Sequence, residues 1–245
     1  MAFFRENYHL FLDEFFFRDR LIAMGKTLGL HFLKGILAGL SIGLGGFLYI
    51  ILCFAIPGEV GKILGSIAFA VGLFLVCTFG LSLYTGKIGV VYEGKQEKSF
   101  YFALPVMLLG NAIGAVGLGL LCYVIFRSTS VMDTVNAVVA VRTKLAGFDD
   151  YLSLCLKSFL CGFCVYVAVK LFNLNRLKPL GILGLVFFVF LFVYCGFQHC
   201  IANMFYFGFG GAYSWEVFAN LGLCILFNSF GPILGVALFK LFKRN

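Results

Sequence analysis

Six apolar stretches run through the chain, at about residues 32–56, 62–93, 100–126, 150–173, 178–212 and 216–242. A helix needs about 20 mostly apolar residues to cross the hydrocarbon core of a bilayer, and each stretch is long enough. Of the 245 residues 62% are hydrophobic and 12% charged, whereas an average soluble domain carries about 25% charged residues. A soluble enzyme, a disordered chain and a secreted disulfide scaffold are excluded on that ground. The chain reads as an all-α integral membrane protein with six transmembrane helices.

The second and fifth stretches are too long for one span, and each is interrupted. Leu83-Tyr84-Thr85-Gly86-Lys87 breaks the second, and Cys195-Gly196-Phe197-Gln198-His199 breaks the fifth, ahead of Ile201-Ala202-Asn203-Met204. Spans one to three and four to six are thus two triplets, each with a broken middle member. Three is an odd number, so the second triplet must lie upside down relative to the first. Inverted repeats with discontinuous helices are the pattern expected of transporters and channels. Gly110-Asn111-Ala112-Ile113-Gly114-Ala115 in the third span pairs weakly with Gly231-Pro232-Ile233-Leu234-Gly235 in the sixth.

The expected organisation is one transmembrane domain over 1–245. Residues 1–30 form an amphipathic helix on the inner membrane surface, 31–127 the first repeat, 128–149 an outer connection and 150–245 the second repeat. Acidic and basic residues interleave with Phe in the first 20 residues and leave no clean apolar core for a signal peptide. The stretch from Val131 to Lys144 reads as a short surface or re-entrant helix. Glycines at small-residue spacing (Gly35, Gly39, Gly43, Gly110, Gly114, Gly117) read as helix contacts.

A net charge of +8 would suggest nucleic acid in a soluble protein. In a membrane protein, basic residues gather on the cytoplasmic side instead. With the N-terminus inside, thirteen Lys and Arg fall on cytoplasmic segments, against four outside (Lys62, Arg127, Arg142, Lys144). Both termini are expected in the cytoplasm, the chain in the plasma membrane, and no nucleic acid among its partners. The nine cysteines are odd in number and nearly all lie in apolar runs; Cys161-x-x-Cys164 has no second pair or His to complete a metal set. They read as packing residues, with no metal or cofactor implied.

Polar groups at membrane depth mark candidate sites. His199 leads, since it follows a glycine in a broken helix, whereas His9 and His31 lie near the N-terminal edge. It is either a satisfied structural residue or a group facing an anion, with the N–H groups of the following half-helix beside it. Thr85 is its counterpart in the second span, as an anion donor, a cap for the next half-helix, or both. Lys87 either adds charge there or snorkels to an interface. No acid lies inside a span, apart from Glu93, Asp150 and Glu216 at the edges. That absence argues against an enzyme and against a cation pathway lined by carboxylates. Small anions or weak acids fit better.

Leu83-Tyr84-Thr85-Gly86, Gly110-Asn111-Ala112-Ile113-Gly114-Ala115 and Gly196-Phe197-Gln198-His199-Cys200-Ile201-Ala202-Asn203-Met204 together resemble the formate/nitrite transporter family, over about residues 25–240. The resemblance implies an aquaporin-like fold, a homopentamer with one pore per protomer, and small monovalent anions (formate, nitrite, hydrosulfide) with protons as the species handled. It places the central pore histidine on His199 and the loop threonine on Thr85, with Asn203 beside them. The apolar constriction falls on Leu83 and Phe192, the cytoplasmic slit on Leu73 and Phe69, and the outer-vestibule lysine on Lys144. This chain has Gln198 where the family often has Glu, Gly162 where it often has Asn, and Gly235-Val236 in place of an Asn motif. Those departures leave room for a hydrosulfide-type member, and a neutral-solute or gas channel of the same fold is the alternative.

Overall fold

The computed structural model describes residues 2–94, 96–174 and 178–242, with the side chains of 2–24, 174 and 242 outside the description. Helix α1 (Ala2–Ala55) is continuous, so the expected surface segment at 1–30 runs directly into the first apolar stretch. The amphipathic face expected there, and His9, lie outside the described side chains. The chain continues through α2 (Glu59–Thr78), α3 (Tyr84–Lys87), a 3-10 turn (Ile88–Tyr92), α4 (Lys98–Phe126) and α5 (Val131–Thr143). The second half holds α6 (Phe148–Leu174), α7 (Lys178–Tyr194), α8 (Cys200–Gly210), α9 (Trp215–Phe230) and α10 (Pro232–Phe242). Pro232 has no N–H, which divides α9 from α10, but Gly231 between them keeps helical angles (φ −50°, ψ −40°).

Five helical stretches are long and apolar enough to cross a bilayer: Gly25–Ala55, Glu59–Thr78, Lys98–Phe126, Phe148–Asn173 and Trp215–Leu241. Lys178–Tyr194 and Cys200–Gly210 are shorter apolar helices. The fifth apolar stretch is broken at residues 195–199, where the sequence places the break. The first break lies earlier than expected, at 79–83, and Tyr84–Lys87 is itself helical. Both breaks are made the same way. Gly80 (φ 59°) and Gly196 (φ 68°) adopt the left-handed conformation that only glycine takes without strain. The next residue's N–H then donates back over the helix end, Leu81 to the Val76 carbonyl at 2.9 Å and Phe197 to the Phe192 carbonyl at 2.8 Å.

Two asparagines clasp these breaks. Asn111 on α4 accepts from the Tyr84 N–H at 2.8 Å and donates to the Gly35 and Ser82 carbonyls, each at 2.9 Å. Asn228 on α9 accepts from the Cys200 N–H at 2.9 Å and donates to the Ser158 and Gln198 carbonyls at 2.7 and 2.8 Å. The same bonds recur in each half, so Asn111 corresponds to Asn228, and Gly114 to Gly231. The weak sequence match of Gly110 with Gly231 was four positions out of register. Close backbone approach makes room for each clasp: a Cβ on Gly39 would collide with the Asn111 carbonyl, and one on Gly162 with the Asn228 carbonyl. Gly117 has open space around it and takes no part in such a contact.

Candidate functional site

The two breaks bring Thr85 and His199 together. Thr85 Oγ1 lies 2.9 Å from His199 Nε2, between residues 114 positions apart, and both side chains are buried. His199 caps α8, its Nδ1 accepting the Ala202 N–H at 3.2 Å. An accepting Nδ1 carries no proton, so the neutral ring holds its proton on Nε2 and donates it to Thr85. The Thr85 hydroxyl hydrogen is then available to a further acceptor. The cap of α3 is Leu83, which makes no side-chain capping bond, so Thr85 serves the histidine rather than the helix end.

Apolar side chains close on this pair from two directions. Phe69 and Phe192 pack edge to face at 5.8 Å, and Phe192 lies 5.9 Å from the His199 ring. Both phenylalanines line a cavity of about 410 Å³ that also reaches His199, Asn203, Arg142 and Lys62. Leu83 lines a separate cavity of about 80 Å³ with Lys87 and Val169. Phe69 thus lines the Arg142-side cavity together with Phe192, whereas Leu83 lines the other one. Leu73 is buried and borders neither of these cavities.

A network of amides surrounds the wider cavity. Asn203 donates to Gln198 Oε1 and Asn220 Oδ1, each at 2.8 Å, and its own oxygen accepts Arg142 Nε at 3.0 Å. Arg142 also donates to the Val138 carbonyl at 2.8 Å, and its guanidinium lies 4.5 Å from the centre of the Tyr206 ring. Lys144 is exposed at the end of α5 and lines a different cavity of about 160 Å³, with Gln198 and Asn220. The cation nearest the histidine's cavity on α5 is thus Arg142 rather than Lys144. Lys87 is exposed at the far side of the first break. His31 is tied to that break, its Nδ1 lying 2.9 Å from Ser82 Oγ.

Three of the N–H groups that open the half-helices are engaged within the protein, Tyr84 N–H by Asn111, Cys200 N–H by Asn228 and Ala202 N–H by His199. Gly162 has no space for an asparagine, because the Asn228 carbonyl occupies that position. Arg142, Asn220 and Asn228 escape sequence reading: Arg142 lies in a connection, and the asparagines lie in an apolar run with no glycine break beside them. Cys224 does more than pack, since its thiol donates to the Gln198 carbonyl at 3.0 Å. The arrangement can desolvate a small solute between apolar walls and offer it N–H and O–H donors without a facing carboxylate.

A family model described as formate/nitrite transporter matches residues 22–242. The chain is 29% identical over 219 residues to an uncharacterized transporter, YrhG, of Bacillus subtilis (strain 168), covering 84% of this chain and 80% of that one. It is 26% identical over 245 residues to a "probable formate transporter" of Methanothermobacter thermautotrophicus, covering 88% and 86%. Among solved structures, a pentameric formate channel with formate bound superposes with a TM-score of 0.70 at 23% identity, over 89% of this chain and 96% of that one. These relatives are transporters and channels, not enzymes.

Proposed function

The chain belongs to the formate/nitrite transporter family, and we propose on that footing that it conducts small monovalent anions of weak acids: formate, nitrite or hydrosulfide. One observation carries the reading: the buried Thr85–His199 hydrogen bond of 2.9 Å where two helix breaks meet. Apolar walls disfavour a bare ion, because stripping its water is costly. A weak acid avoids part of that cost by crossing as its neutral form. At the centre an incoming anion takes Thr85's place as acceptor of the His199 Nε2–H and receives the Thr85 hydroxyl as a second donor. Passing the Nε2 proton to the anion leaves a neutral ring only if Nδ1 has first gained a proton, which displaces the Ala202 N–H. Protonation of His199 and arrival of the anion are thereby coupled, each offsetting the other's charge.

The wider assembly follows the same reading. Five copies form the assembly, as in the pentameric neighbour, with one pathway in each. The halves 31–127 and 150–245 are inverted repeats, and the duplicated Asn111 and Asn228 clasps support this. The excess of Lys and Arg on segments 1–30, 94–99, 174–178 and 240–245 supports cytoplasmic termini, with the Arg142 cavity opening outward.

Flux of formate, nitrite and hydrosulfide into liposomes tests the reading. The wild-type protein is expected to conduct at least one of them with a rate that changes across about pH 5 to 8, the range in which histidine changes charge. His199→Phe is expected to abolish or flatten that dependence. A wild-type protein inert to all three would overturn the reading, and an unchanged profile in His199→Phe would remove the histidine from it.

A further inference from the structure

Gln198 is fixed through three of its four hydrogen-bonding groups. Its backbone N–H donates to the Lys157 carbonyl at 3.4 Å, and its carbonyl accepts from Asn228 at 2.8 Å and from Cys224 at 3.0 Å. Its side-chain oxygen accepts from Asn203 at 2.8 Å. The fourth group, Nε2, has no partner among the described residues, although the residue is only 5% exposed. The orientation of this amide is forced. A guanidinium can only donate, so the oxygen of Asn203 must face Arg142 and its NH2 must face Gln198. Gln198 in turn gives its oxygen to Asn203 and leaves its NH2 free.

Gln198 borders two cavities. Gln198 and Arg142 both line the 410 Å³ cavity and the 160 Å³ cavity. Arg142 uses Nε on Asn203 and one Nη on Val138, and its other Nη makes no hydrogen bond among the described residues. We propose that Gln198 Nε2 and the free edge of Arg142 form an anion-docking pair ahead of the Thr85–His199 centre, built for a small oxyanion with two acceptor oxygens, a carboxylate above all. The proposal rests on the anion-channel reading and adds a specificity-determining position to it.

Charge around the pair agrees with this ligand. Lys62 lines the larger cavity, and Lys144, Lys157 and Asp150 the smaller one. Glu59, near the rim, accepts from the Tyr194 hydroxyl at 3.1 Å and lies 3.9 Å from Lys62. A carboxylate can engage both members of the pair at once, one oxygen each. Hydrosulfide has a single, weakly accepting sulfur and cannot set a separate acceptor atom against each of them.

Initial flux against concentration, measured in liposomes for formate and for hydrosulfide, tests the pair in the wild type, Gln198→Met and Gln198→Glu. Gln198→Met keeps the side-chain length without the donor. Its half-saturating formate concentration is expected to rise about tenfold, the loss of one charge-assisted hydrogen bond, with the maximal rate and the hydrosulfide value much less affected. Gln198→Glu keeps the shape but turns an acceptor toward Arg142, and both anions are expected to bind more weakly. If Gln198→Met fails to insert, the isosteric Glu variant decides. Wild-type half-saturation for formate in the variants, or an equal rise for both anions in Gln198→Met, would overturn the pair while leaving the channel reading intact. A wild type that conducts hydrosulfide but not formate would also overturn it. A wild type that conducts neither of these anions nor nitrite would instead overturn the reading beneath it.

Discussion

Replacing Thr85 with Val keeps the outline of the side chain and removes the oxygen that meets His199 at 2.9 Å. The Nε2–H is then buried without an acceptor, at a cost of about 1–3 kcal/mol, and an anion arriving there has lost one donor. Thr85→Val is expected to lower flux about tenfold or more with a modest drop in melting temperature, and Thr85→Ser to restore most of both. Flux and thermal unfolding measured on the same preparations check this. Both residues could be singled out in the sequence because each is a polar group within a long apolar run, near a glycine. Arg142 could not be singled out, since nothing local shows that α5 folds back to set a guanidinium against Asn203 and Tyr206. Lys144, the cation the resemblance points to, stands two residues further on at the exposed end of α5.

At the level of elements, the breaks depend on asparagines from neighbouring helices. Without Asn228 the Cys200 N–H loses its acceptor, and α8 is no longer fixed at the end that carries His199. Asn228→Leu is expected to cost about 1–3 kcal/mol for each group left unsatisfied and to lower flux as the histidine shifts. Asn111→Leu is expected to match it from the other half, where Tyr84 N–H loses its acceptor. Melting temperature and flux of the two variants, compared side by side, measure the equivalence. The helices themselves were readable from apolar length, and Gly196 fixed the second break in place. The first break was misplaced because Gly86 draws the eye, while the residue that turns the chain is Gly80, with φ 59°. The Asn228 clasp was missed because it is defined by contacts with α6 and the 195–199 turn rather than by its sequence neighbours.

For the molecule as a whole, low charge and long apolar helices reflect one requirement, an outer surface that only lipid or another copy can cover. Leu33, Phe102, Leu121, Leu183 and Phe218 are among the large apolar side chains left exposed. The proposed orientation predicts that a tag on either terminus is digested by protease in inverted vesicles and protected in right-side-out ones. The reverse pattern would place the Arg142 cavity on the cytoplasmic face. The central contact also has a consequence for how the protein is made. Thr85 and His199 are 114 residues apart and belong to different halves of the chain. While the ribosome is still producing the second half, the first half already lies in the membrane with its threonine unmatched and its broken helix facing no counterpart. The two sides of this contact can meet only after both halves of the chain have been made.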